Sequence, residues 1–348
     1  MLVNEQEEVE KWLKEHWHDR VFKTRSVLNG GDYSGAYTLY CSIVECDEQE
    51  YILKRYNPLG VSGLQAEKFN YQKFSKHQLL PKLEAFVPKG TDAPEFMAYG
   101  VLISFYPNKV SLDGISMVEA LAIGLSMATI LSYFADENRI YFDLRSDSLR
   151  VDLSGGLHLI DFSDLITMEE LVKRSNAGLP VIDRQSKFIP PEGLRYQSAI
   201  NSFFLDPRLF SVVRDMADVI HPERYQVFSL AGLIVELLVG PAADDSALTT
   251  RIAQASEPKD GTFTEEELTR LLELLVQMRH PNDLDRPSFA MVREVFWSLL
   301  SPRLTTESIA SNLISKRAAK LLRTISPRDG DITSSQIESS LRAYWSTY

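Results

Sequence analysis

Residues 140–163 decide the fold: Ile140-Tyr141-Phe142-Asp143-Leu144-Arg145-Ser146-Asp147-Ser148-Leu149-Arg150-Val151, a turn at Ser154-Gly155-Gly156, then Leu157-His158-Leu159-Ile160-Asp161-Phe162-Ser163. Leu149 to Asp152 and Leu157 to Ile160 flank a glycine turn and predict a short hairpin. Asp143 and Asp161 stand at its two ends, 18 residues apart. A hairpin between them would bring both carboxylates to one cleft mouth. Phosphoryl transfer needs such a pair: one aspartate orients an acceptor hydroxyl and the other holds Mg²⁺ against the phosphates.

Upstream, the pattern is that of strands. Ala36 to Val44 and Tyr51 to Tyr56 flank Glu45-Cys46-Asp47-Glu48 and predict a hairpin. Gly30-Gly31-Asp32-Tyr33-Ser34-Gly35 before them is a turn signal. A helix is expected over Leu64 to Ser75, with strands near Leu83 to Val87 and Phe96 to Phe105. Residues 5–18 place Val9, Trp12, Leu13 and Trp17 at helical spacing, an amphipathic leading helix. After Pro107 the chain turns helical, over 117–135, near 225–239, 264–279, 288–300 and 305–323, and again near 334–345. Thr167-Met168-Glu169-Glu170 reads as a capping box opening a short helix. Strands segregated from helices predict an α+β protein with two lobes, a small antiparallel sheet and a large helical half. The expected division is a leading helix (1–19), an N-lobe (20–106), a C-lobe (107–302) and a helical extension (303–348), which by default docks on the large lobe.

These stretches together resemble the eukaryotic-like protein kinases. Asp143 stands where that family has its catalytic aspartate, Asp161 where it has its metal aspartate, and Ser148 where it has its metal-binding asparagine. Tyr51-Ile52-Leu53-Lys54 is similar to the family's strand-lysine motif, and Glu67 is the candidate helix partner, at a spacing shorter than the family usually shows. In the loop before it, Gly30, Gly31, the tip residue Tyr33 and Ala36 fit a nucleotide-covering segment, while Asn29 and Ser34 replace glycines. Val101 to Tyr106 looks like the last strand and hinge, with Ile103 as gatekeeper and the backbone of Ser104, Phe105 and Tyr106 meeting adenine. Ile52 and Leu149 complete the expected nucleotide contacts. Ile189-Pro190-Pro191-Glu192 resembles A-P-E, Gln226 to Gly240 the family's buried helix, and Asp285-Arg286-Pro287-Ser288 its late R-P-S. The resemblance implies a buried Glu192–Arg286 ion pair. It spans residues 20–302 and rests on many weak matches in one order. Small-molecule kinases share the aspartate pair and usually lack the late segments.

The departures matter as much. Phe142 replaces the arginine that meets a phosphorylated loop, so activation by loop phosphorylation is not expected. Ser163 replaces a glycine and is expected to restrict the backbone there, since only glycine enters positive φ freely. Gln226 replaces an aspartate that anchors the catalytic loop. A helix after Thr167 would suit an inactive-like arrangement. The stretch between Glu192 and Gln226 is longer than the family has, which predicts an insertion near 193–217. Asp147 and Asp164 read as turn or cap residues that could assist a metal, and His77 and His158 as structural.

Composition narrows the classes. The 348 residues are 44% apolar and 24% charged, which excludes a disordered chain. A net charge of −11 repels a phosphate backbone, so nucleic acid is not an expected partner. Cys41 and Cys46 make no disulfide framework, and the acidic N-terminus lacks a signal-peptide pattern, so a reducing cytoplasm is expected. Met117 to Ala135 and Phe228 to Ala243 are apolar but interrupted by Glu119 and Glu236, and are expected to be core helices rather than membrane spans. The expectation is therefore an ATP- and Mg²⁺-dependent (or Mn²⁺-dependent) Ser/Thr protein kinase acting on a protein substrate. The alternatives are a pseudokinase that binds nucleotide or a protein partner, and, further off, a small-molecule kinase.

Overall fold

The computed structural model describes residues 7, 10, 11, 13, 14, 21–28, 38–56, 61–75, 77–87, 99–104, 108–110, 114–176, 189–196, 198, 215, 220–240, 263–325, 339 and 342. The protein is mixed α+β with small antiparallel sheets. The chain divides into two compact units, 1–107 with 160–164, and 108–159 with 165–348. The return of 160–164 to the first unit is not visible in the sequence pattern.

The first unit is a five-stranded sheet in the order β1 (Lys23–Leu28), β2 (Thr38–Cys46), β3 (Gln49–Tyr56), β5 (Tyr99–Ser104), β4 (Leu83–Val87). β1 is a strand that the sequence reading missed. The β2–β3 hairpin closes on Asp47 and Glu48, both left-handed, with φ of 52° and 64°. A two-residue hairpin needs that handedness to match strand twist, and Glu48 adopts it at a cost on the order of 1 kcal/mol. Alternation along β3 puts Ile52 and Lys54 on one face, Tyr51 and Leu53 on the other. Helix α1 (Val61–Lys73) follows. Along it and just past its end, Leu64, Glu67, Asn70, Tyr71 and Phe74 are buried at helical spacing. Before the sheet, residues 7, 10, 11, 13 and 14 are helical, and Leu13 is fully buried.

The second unit is built round α2 (Met117–Asp136), opened by a Ser116–Glu119 capping box. Every residue from Met117 to Leu131 is buried. This helix is long and apolar enough to cross a membrane, and 89% of its most apolar window is buried inside the protein. It packs on α4 (Pro222–Val239), α6 (Phe289–Leu300) and α8 (Leu313–Leu321). Gly124 permits that crossing, since a Cβ there would lie 2.6 Å from Ile234 Cδ1 and 2.9 Å from Phe296 Cε2.

Three short strands, β6 (Asn108–Lys109), β8 (Leu149–Val151) and β9 (Leu157–Leu159), form one sheet; β7 (Arg139–Tyr141) and β10 (Leu165–Thr167) pair separately. The β8–β9 hairpin is the expected one. The others are three-residue or shorter elements with too few side chains to show a period. After β10, Thr167 N donates to Glu170 Oε2 (2.8 Å) and Glu170 N to Thr167 Oγ1 (3.1 Å), the capping box that opens α3 (Met168–Asn176).

Helix α5 (Glu265–Met278) begins with a Thr264–Glu267 capping box. Arg303 pairs with Glu267 through both nitrogens and lies 3.6 Å over the Phe263 ring. The single helix expected over 305–323 is instead α7 (Thr306–Ser311) and α8. Asn312 divides them, because its side chain accepts from Ile314 N and Ser315 N in an extended conformation and caps α8 rather than continuing α7. The helix expected near 334–345 lies outside the described residues except for Ser339 and Arg342, as does most of the insertion expected at 193–217.

Candidate functional site

Lys54 on β3 stands opposite Cys41 on β2 and Val101 on β5. Its ammonium donates to Glu67 Oε1 on α1 (2.8 Å) and to Asp161 Oδ1 (2.9 Å). The short Lys54–Glu67 spacing is thus no obstacle to their meeting. Glu67 is fully buried, whereas the Asp161 side chain is 43% exposed. Burial alone would lower the Lys54 pKa; Asp161 and Glu67 outweigh it and hold the lysine charged, well above its ordinary value. Burial pushes Glu67 upward against the pull of Lys54. Tyr71 lies one turn beyond Glu67, and burial and then the Glu67 carboxylate keep its phenol well above its ordinary value.

Asp161 is left-handed, at φ 74°. Only a few per cent of residues other than glycine adopt positive φ, and aspartate tolerates it better than most. The positive φ falls at Asp161, whereas Ser163, whose side chain was expected to restrict the backbone, sits in a 3₁₀ turn with negative φ. Its hydroxyl lies 3.3 Å from Asp161 Oδ1 and 3.5 Å from Asp164 Oδ2. Phe162 is buried edge-on to Tyr71, with ring centroids 5.1 Å apart. Asn70 Nδ2 donates to Phe162 O at 2.9 Å.

In the second unit, Asp143 follows β7. Arg145 Nη2 pairs with Asp143 Oδ2 at 3.1 Å, and Ser148 Oγ donates to Asp143 O at 3.0 Å. Ser148 and Leu149 are buried, while Asp147 is an exposed member of the same turn. Arg145 was not singled out from sequence; its position two residues past Asp143 in a turn was the available signal. Gln226 anchors the backbone at β7: its Oε1 accepts from Tyr141 N (3.1 Å), and its Nε2 donates to Arg139 O (3.2 Å) and Leu131 O (3.3 Å). Phe142 packs on Tyr225, and Arg139 pairs with Glu170 at 3.1 Å. His158 pairs with Asp152 at 2.9 Å inside the hairpin.

Glu192 and Arg286 form the expected buried pair, Nη1 to Oε1 at 2.5 Å and Nη2 to Oε2 at 2.9 Å. Arg286 also donates to the carbonyls of His280 and Arg224 and lies 5.0 Å from the Phe228 ring centroid.

Of the expected nucleotide contacts, Ile52 and Ile103 are cross-strand partners on β3 and β5, and Ser104 ends β5 opposite Tyr51. Gly30, Gly31, Tyr33, Ala36, Phe105 and Tyr106 lie outside the described residues. Among the described residues no group of three or more His, Cys, Asp and Glu side chains clusters as a metal site. Mg²⁺ does not need one, because it keeps several waters and takes one or two carboxylates beside substrate phosphates. Both cysteines are buried and neither is in a disulfide. Comparison with protein-family models and with curated proteins returned no match.

Proposed function

We propose that the chain is a divergent protein kinase, with its two units the lobes of a kinase-like fold, transferring the γ-phosphate of ATP to a Ser/Thr hydroxyl of a protein. The observation that carries this reading is the Lys54 ammonium held between Glu67 and Asp161, residues 13 and 107 positions away in sequence. Surface ion pairs are common and uninformative; a buried lysine that serves two carboxylates, one of them half-exposed and at positive φ, is the kind of cluster that marks a functional site.

In this reading Lys54 would bind phosphate and Glu67 would hold the lysine in place. Asp143 would orient the acceptor hydroxyl, with Arg145 paired to it. The half-exposed Asp161 offers a hard oxygen to a cation and fits Mg²⁺ or Mn²⁺. The ion would neutralise phosphate charge.

A pseudokinase is the second reading, favoured by one observation: the Ser148 hydroxyl is turned onto the Asp143 carbonyl. Labelling of the protein itself and of generic substrates with radiolabelled ATP tests the choice, wild type against Asp161→Ala, with Mg²⁺ against Mn²⁺. Transfer by wild type alone is the expected result. No transfer with either metal, together with a thermal shift on adding ATP, would replace the kinase by a nucleotide-binding pseudokinase.

A further inference from the structure

Asn70 is a fully buried amide on a helix face that also holds Leu64, Glu67, Tyr71 and Phe74. An apolar side chain of the same size would fill that position without desolvating an amide, so the burial calls for a partner. The partner is the carbonyl of Phe162, 92 residues away and the first carbonyl after left-handed Asp161. α1 therefore reaches residues 161–162 at three consecutive positions on one face: Glu67 through Lys54, Asn70 through the Phe162 carbonyl, and Tyr71 through the Phe162 ring.

We propose that Asn70 is a positioning residue that fixes the Asp161–Phe162 backbone, so that α1 itself imposes the left-handed conformation in which Asp161 meets Lys54. A strained φ persists only where its surroundings over-determine it. The Lys54 contact restrains the Asp161 side chain; the Asn70 contact restrains the main chain that follows it. Were Asp161 to relax to an extended φ, the Phe162 carbonyl would swing away from the amide. The order of this carboxylate is then built into α1 and needs no modification of the segment after it, in keeping with Phe142 where a phosphate-binding arginine would stand. The inference rests on the reading of Asp161 as the metal carboxylate for its consequence in catalysis, but not for its geometry.

The test uses the full chain with Asn70→Leu, which removes the donor at similar size, and Phe74→Leu, which loosens the same helix without touching Asp161. Hydrogen exchange is measured without nucleotide, alongside calorimetric affinity for Mg²⁺–ATP. Asn70→Leu is expected to speed exchange in peptides covering 160–164 by about tenfold and to weaken Mg²⁺–ATP by about tenfold, the scale of one lost buried hydrogen bond. Phe74→Leu is expected to lower Tm and change neither. Wild-type exchange at 160–164 in Asn70→Leu, or equal acceleration in Phe74→Leu, would overturn the proposal. If wild type binds no Mg²⁺–ATP while Asn70→Leu still speeds exchange at 160–164, the positioning role stands and the kinase reading falls.

Discussion

Two buried ion clusters in this protein use charge in opposite ways. At Glu192–Arg286 the charges match one to one, the guanidinium side chain is wholly buried, and its remaining donors are taken by backbone carbonyls. At Lys54 one ammonium serves two carboxylates, and one of these opens to solvent. A sealed, neutral, saturated pair has nothing left to offer a ligand. A cluster with surplus negative charge and an open side can exchange partners when a cation and phosphate arrive. The first holds a fold together; the second is the cluster that the proposed phosphate chemistry would use.

Breaking the sealed pair should have the largest effect. Arg286→Met leaves Glu192 buried without a cation and should cost about 3–5 kcal/mol in chemical denaturation. Pairing it with Glu192→Leu should recover most of that loss; failure to recover would mean that the carbonyl bonds, not the ion pair, dominate.

A titration separates the Lys54 cluster from its surroundings. Burial lowers the His77 pKa from 6.5 to about 4, so the folded protein keeps this imidazole neutral. The unfolded chain takes up the proton first as pH falls below 6.5. Stability should therefore drop between pH 6.5 and pH 4, by about 3 kcal/mol in all. Replacing His77 with Leu should flatten that part of the profile. The Lys54 contribution carries the other sign: its raised pKa means stability fully present at neutral pH and lost only as pH rises far into the alkaline range. An acid-sensitive step that survives the His77 change would point to another group.

Lys54→Met should cost less than Arg286→Met, about 1–3 kcal/mol, because half-exposed Asp161 can turn to water and Glu67 can take up a proton. If the proposed kinase reading holds, phosphate transfer nonetheless vanishes. A stability loss equal to that of Arg286→Met would erase the contrast between the two clusters. Ser163→Gly is the mildest test. Its long contact with Asp161 predicts a stability change under about 1 kcal/mol and a measurable shift in Mg²⁺ affinity by calorimetry.

What the sequence made legible was whatever local pattern or motif order could encode. The all-round apolarity of α2, the Thr167 capping box and the partnership of Glu192 with Arg286 could all be read before any coordinates. So could the Lys54–Glu67 pair, despite its unusual spacing. What escaped depends on partners distant in sequence. Nothing near Asn70 announces that its amide meets a carbonyl 92 residues later. β7 and β10 are three residues each and exist because they pair with each other. The positive φ at Asp161 was not legible either, because the residues that contact 161–162, Lys54, Asn70 and Tyr71, come from elsewhere in the chain. Asn312 is a cap that the apolar spacing hides, since that spacing runs through it without a gap.

Gln226 has a consequence of a different kind. A carboxylate in its place could accept from Tyr141 N, but it could not also donate to the carbonyls of Leu131 and Arg139 without binding a proton. The amide does both and never changes charge. The backbone leading to Asp143 is thus tethered at Arg139 and Tyr141 by a group whose own charge does not change with acidity.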